Sequence, residues 1–212
     1  MKLLSERRLS DYTSCMRVLG IDPALAGATG YGIVESDGRN CRSLEFGAVK
    51  ARRPRAAKAT ADIPARLREI HSAIARLLEQ HAPDAVAVES VFTALNMRTA
   101  LKLAEVRGVV LLAAAERGIP VHSYSPREVK AAVAGYGNAD KQQMQQMVRA
   151  MLGMRPEVVG LGSDAADALA VALCHIYSSK AQARIAAATA PTPASRNGAG
   201  NGRRAARIQS SR

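Results

Sequence analysis

Apolar residues run in short blocks through the first fifty positions and then recur at helical spacing, with further blocks between the helical stretches. Arg17 to Ile21 reads as a strand, Thr29 to Glu35 as a second and Leu44 to Val49 as a third. Ser-Asp-Gly-Arg-Asn at 36 to 40 supplies a hairpin turn, so these three predict an antiparallel meander. Beyond a basic loop, Leu67, Ile70, Ile74, Leu77 and Leu78 mark one face of a helix that Pro83 closes. The block Ala85-Val-Ala-Val then leads into Glu89 as a fourth strand. A second helix is predicted from about Arg98 to Arg117, and Gly118 opens a fifth strand, Ile119 to Tyr124. Ser125-Pro-Arg-Glu128 has the reciprocal pattern of a capping box with proline at the first helical position, and terminal helices follow.

Strands that alternate with helices of this length need parallel crossovers, so the expected sheet is mixed and the fold class is α/β. If the first and fourth strands lie side by side, Asp22 and Glu89 emerge together at their carboxyl ends, where open sheets carry ligands. A chain of 212 residues suffices for one well-cored unit but not for two. Residues 16–179 are expected to form it, behind a disordered extension at 1–15. The stretch 180–212 thins to Ala, Gly, Pro, Ser, Asn and Arg and is expected to be a disordered basic tail.

The net charge of +12 puts the chain among candidates for nucleic-acid binding. Lys180, Arg184, Arg196, Arg203, Arg204, Arg207 and Arg212 account for seven of those charges with no acid among them, so the preceding part is only mildly basic. Cys15, Cys41 and Cys174 show no metal-ligand spacing, and an odd number fits a reducing compartment. No uncharged apolar stretch reaches spanning length and the first fifteen residues are too charged for a signal peptide, so a cytoplasmic protein without membrane contact is expected.

The chemistry rests on four carboxylates. Asp22 ends the run Val18-Leu-Gly-Ile, Glu89 ends Ala85-Val-Ala-Val, and Asp164 and Asp167 stand three apart in an alanine-rich helix, on one face. Carboxylates set against apolar runs are costly unless something positive neutralises them. None of these segments contains Lys or Arg, which makes a divalent cation the economical partner, and hard oxygen ligands favour magnesium or manganese. The bland reading makes Asp22 and Glu89 strand-end turn residues and Asp164 a first-turn helix acid. The four are placed where a metal-dependent nuclease would want them.

Gly20-Ile-Asp-Pro, Thr29-Gly-Tyr-Gly, Glu89-Ser-Val-Phe, Ala100-Leu-Lys-Leu, Arg107-Gly and Asp164-Ala-Ala-Asp-Ala-Leu-Ala, in this order, resemble the RuvC family of Holliday-junction resolvases. The resemblance spans roughly Met16 to Tyr177. It implies an RNase H-like fold and a homodimer that nicks two opposed strands of a four-way DNA junction during recombination and repair. It places the family's acidic ligands on Asp22, Glu89, Asp164 and Asp167, with two Mg2+ ions per site for which Mn2+ substitutes. An aromatic wedge falls on Phe92, and functional lysines fall on Lys130 and Lys141, the second also a catalytic candidate. Branch-migration partners of the RuvA and RuvB type are implied as well. The turn Asp22-Pro-Ala-Leu-Ala-Gly-Ala-Thr-Gly departs from the family's pattern, lacking its glycine after proline and any arginine.

Each lesser candidate has a plain alternative. Phe92 fits core packing or a dimer contact, exposed helix lysines are usually just solvated, and Tyr136 lies in Gly135-Tyr-Gly-Asn, which reads equally as a turn. Arg52, Arg53 and Arg55 suit a phosphate-facing loop or a merely charged one, and Val106, Val109, Val110 and Ala113 suit core or a subunit interface. The four histidines read as surface or packing residues. Other functions also remain: an RNase H-like nuclease acting on structured RNA or a hybrid, or a junction-binding protein with impaired catalysis. An actin-like ATPase shares the Gly20-Ile-Asp-Pro motif but needs a second lobe that this length excludes.

Overall fold

The structure is a computed structural model, and it describes residues 15–24, 27–50, 63–90, 97–155 and 161–189. Phe92, Arg52, Arg53 and Arg55 lie outside that set, as do most of the expected extension and the end of the basic tail. Strands β1 (Met16–Asp22), β2 (Thr29–Ser36) and β3 (Cys41–Val49) form the meander. Helix α1 (Ile63–His81), strand β4 (Ala85–Glu89), helix α2 (Met97–Ala115) and strand β5 (Val121–Tyr124) follow, then helices α3 (Pro126–Ala134), α4 (Lys141–Met151) and α5 (Ser163–Thr189).

The five strands form one sheet in the order β3-β2-β1-β4-β5. β1 pairs antiparallel with β2 and parallel with β4, and β4 pairs parallel with β5, so the sheet is mixed as the alternation of strands and helices predicts. Each face carries its own core. Leu19, Ile21, Ile33, Val86 and Val88 meet Ile70, Ile74, Leu77, Val106 and Val110 of α1 and α2. Val18, Val34 and Ala87 meet α3, α4 and α5. Because side chains alternate along a strand, Asp22 and Glu89 fall on the α5 face.

Two glycines set how closely α5 approaches. A Cβ at Gly20 would collide with the carbonyl oxygen of Ala168, and one at Gly30 with the carbonyl oxygen of Asp164. Only a residue without a side chain permits this contact, and it brings the acidic first turns of α5 down onto the strand ends. Ala165, Ala166, Ala168, Leu169, Ala170 and Val171 are buried there.

Two details were not expected, and one open choice is resolved. α5 continues past Ser179 to Thr189, because Ala181, Ala183 and Ala186 to Ala188 are strong helix formers that need little burial to stay helical. On α2, Val106, Val110 and Ala113 are fully buried, so that stripe is core. The exposed row is a different one, comprising Met97, Leu101 and Leu111 with small residues between.

Candidate active site

Asp22 closes β1 and Glu89 closes β4. The parallel register Ile21↔Val88 stops one residue short of both, so the two carboxylates leave adjacent strands side by side on one face. Asp164 and Asp167 join them from the first turns of α5. Thr29, fully buried, holds the turn after Asp22: its hydroxyl donates to the Ala24 carbonyl at 2.7 Å and accepts the Ala24 N–H at 3.2 Å. Here a side chain closes the turn that lacks the family's glycine.

The carboxylates sense one another strongly. Burial first, and then the charges of Glu89, Asp167 and Asp164, push the Asp22 carboxyl up to about 8. Burial and Asp167 raise Glu89, opposed by a hydrogen bond from Asp22 and by the positive charge of Lys130. Burial also raises Asp167, while Lys141 and Lys130 pull it down. Carboxyls that cling to protons mark a site with more negative charge than its two lysines offset. The donor set is all hard oxygen, which suits a magnesium-type cation. Among the described residues, no group of three or more His, Cys, Asp or Glu side chains is already drawn together closely enough to hold a metal ion.

Both candidate lysines reach this cluster. Lys141 is the first residue of α4, and its Nζ stands 3.5 Å from Asp167 Oδ2. Asp140 and Gln143 cap that helix reciprocally. Lys130 is half-buried on α3, whose own capping box joins Ser125 and Glu128. Arg107 of α2 donates to Ser123 Oγ on β5 at 2.7 Å, away from the carboxylates on the other face of the sheet.

Two supporting contacts were not legible in the sequence. The Ser90 N–H and hydroxyl both donate to the Tyr124 carbonyl, at 2.8 and 3.1 Å, which ties β4 to β5 next to Glu89. The Tyr124 hydroxyl then meets His175 Nδ1 at 2.7 Å and fastens β5 to α5. No local spacing pairs a strand tyrosine with a helix histidine so far along the chain. Burial, with the His122 ring stacked beside it at 4.4 Å, lowers His175 to about 4 and keeps it neutral. The other histidines pair with acids, His71 with Glu116 and the largely buried His81 with Glu45.

Residues 18–175 match the family model described as crossover junction endodeoxyribonuclease RuvC. The chain is 47% identical over 176 residues to the protein of that name from Trichlorobacter lovleyi, covering 82% of this chain and 93% of the relative. It is also 47% identical over 162 residues to the one from Chloroflexus aggregans, covering 76% and 93%. Among solved structures, Thermus thermophilus RuvC in complex with Holliday junction substrate superposes with a TM-score of 0.68 at 36% identity, covering 78% of this chain and 96% of that one. The yeast mitochondrial Holliday junction resolvase Ydc2 shares the fold at 14% identity, with a TM-score of 0.58 and coverage of 84% and 86%.

Proposed function

The chain belongs to the RuvC family of crossover junction endodeoxyribonucleases, and from that premise we propose that it resolves four-way DNA junctions by metal-dependent nicking of two opposed strands. The observation that carries the reading is the gathering of Asp22, Glu89 and the Asp164–Asp167 pair from three elements at one end of the sheet, close enough that each of the other three raises Asp22.

Asp22, Glu89, Asp164 and Asp167 would hold the cations, two Mg2+ with Mn2+ able to substitute. When bound, such ions supply an activated water and relieve charge on the phosphate and the leaving oxygen. The chain's own side chains do the rest. Lys141, beside Asp167, offsets negative charge that builds on the phosphate during cleavage. Lys130 holds a backbone phosphate from α3. Phe92, three residues past Glu89, wedges between bases opened at the junction centre.

Two symmetric cuts by one site per chain call for a two-fold dimer. Helix α2 offers the surface: Met97, Leu101, Ala104, Gly108, Leu111 and Ala115 are all exposed and recur at alternating steps of four and three, the seam of a coiled coil. Ala104 and Gly108 at its centre let two helices approach closely. RuvA- and RuvB-type proteins complete the reading as partners. The protein works in the cytoplasm, and among the described residues no helix is long and apolar enough to cross a membrane.

The test is cleavage of a four-way junction with a short mobile core, beside duplex DNA and an RNA/DNA hybrid, with magnesium or EDTA. Paired nicks in opposed strands are expected, lost in EDTA and in Asp22→Asn while junction binding persists. Junction binding with no cleavage in either metal would reduce the protein to a binding role, and preference for the hybrid would move it to another RNase H-like activity.

A further inference from the structure

We propose that Tyr136 is a stacking platform for a nucleobase beside the scissile phosphate, and hence a determinant of where this protein cuts. The assignment rests on the resolvase reading and deepens it. Tyr136 lies in the loop between α3 and α4 and is 50% exposed, yet it is not loose. Its hydroxyl donates to Gln143 Oε1 at 2.8 Å, the same oxygen that accepts the Asp140 N–H at 3.0 Å in the cap of α4. The ring is therefore pinned to the first turn of α4. That turn begins with Lys141, whose Nζ is 3.5 Å from Asp167 Oδ2. Gln143 and Lys141 are two positions apart, within the roughly 5.4 Å rise of one helical turn.

The loop is fixed from below as well. Gly135 takes a left-handed backbone, φ 84°, to end α3. A Cβ at Gly137 would meet Arg127 Cγ at 2.8 Å, so Arg127 packs directly against the loop. An exposed aromatic ring held at its hydroxyl end, on the loop that joins the helix carrying Lys130 to the helix that Lys141 begins, with Arg127 packed against that loop, is the combination that single strands favour: cations for the backbone and a π face for a base. A pre-oriented ring loses little freedom on stacking, which is how an exposed tyrosine contributes affinity. Stacking strength differs among bases, so the contact biases cleavage toward some sequences.

The plain alternative is that Tyr136 merely supports the cap of α4 through its hydroxyl. Tyr136→Phe separates the two, since it removes the hydroxyl and keeps the ring. The probe is a four-way DNA junction carrying 2-aminopurine at one position at a time on either side of the cut, bound by the full chain with Asp22→Asn. Stacking predicts a fluorescence drop at one flanking position. That drop disappears, and affinity falls roughly tenfold, when Tyr136→Ala is added. Tyr136→Phe, which loses the anchor but keeps the ring, retains the drop and most of the affinity, and in the cleaving chain Tyr136→Ala levels the preference among cut sites. Unchanged quenching and affinity in Tyr136→Ala, or a Phe variant as impaired as the Ala variant, overturns the assignment. A wild-type chain that neither binds nor cuts the junction brings down the resolvase reading and this assignment together. Cutting with Tyr136→Ala indistinguishable from wild type removes only the assignment.

Discussion

Lys141 Nζ lies 3.5 Å from Asp167 Oδ2, so the first residue of α4 answers a carboxylate on α5 across the candidate active site. The lysine side chain is itself 61% exposed, which gives the bridge little worth for stability. The role proposed for it is charge placement at the phosphate. Lys141→Ala should lower the single-turnover cleavage rate about a hundredfold while junction affinity falls far less, and Lys141→Arg should restore part of the rate. Parallel gel-shift and rapid-quench measurements decide it: equal losses in binding and rate would make Lys141 a tether only.

Asp22 should be costly to the metal-free fold. Its carboxyl is raised to about 8 from an ordinary 3.8, chiefly by burial and then by the other acids. A raised carboxyl contributes stability that is fully present below pH 4 and lost as pH climbs through 8. Asp22→Asn removes that loss, at the expense of catalysis. In EDTA at pH 8.5 the variant should melt a few degrees above wild type, a gain of at least about 1 kcal/mol, and the gap should shrink at pH 5. A variant that melts lower at both pH values would show that the ionised carboxylate is not strained here.

Gly30 supports Asp164 by leaving room for it. A Cβ there runs into the Asp164 carbonyl oxygen, and backbone cannot swing aside as a side chain can. Gly30→Ala should therefore destabilise by about 1–3 kcal/mol and also depress cleavage, because α5 must lift from β2 and carry Asp164 with it. Gly108→Ala, on α2 with nothing within 4 Å of the new methyl, is a comparison for the stability of the single chain alone, because Gly108 lies on the proposed dimer face. It should leave the isolated fold as stable or slightly more so. Thermal melts of both variants, with the cleavage rate of Gly30→Ala, check the pair.

Leu101 is 59% exposed on α2 and Met97 is 75% exposed one turn before it. Apolar side chains in such a row gain by covering one another. Leu101→Glu should leave the melting temperature of the dilute protein nearly unchanged, yet shift its mass by light scattering from dimer to monomer. Junction cutting should then lose its pairing, with single nicks replacing opposed ones. A wild-type chain that is monomeric at micromolar concentration would rule out this face as the dimer contact.

The core of the fold was readable because it rests on local periodicity. The apolar runs that end in Asp22 and Glu89 marked two strands whose carboxyl ends meet if they lie side by side, and the alanine-rich stretch around Asp164 and Asp167 marked a helix with both acids on one face. Boundaries were less legible: α5 persists to Thr189 because alanine holds a helix without a core, so low complexity alone did not mark its end. The stripe at Val106 and Val110 could not be assigned from spacing, since a core face and an interface face share one period on α2. The Tyr124–His175 contact is a product of tertiary folding. It exists only after β5 and α5 meet, and neither residue advertises the other.

That contact makes the fold sensitive to acid. His175 is 3% exposed, its Nδ1 engaged by the Tyr124 hydroxyl, its Nε2 facing Ser179 Oγ at 3.4 Å, and the His122 ring stacked against it. Burial, followed by the charge of His122, lowers it to about 4 from an ordinary 6.5. The unfolded chain thus takes up a proton at a pH where the folded chain refuses it. Stability from this residue is whole above pH 6.5 and declines as pH falls toward 4, by no more than roughly 3 kcal/mol. His175→Gln keeps a hydrogen-bonding side chain for Tyr124 and cannot titrate. Its melting temperature should be lower than wild type at pH 7.5, from imperfect packing, but should fall less between pH 7 and pH 4.5. Parallel slopes for the two proteins would mean that His175 takes no proton on unfolding in this range, and that acid acts elsewhere.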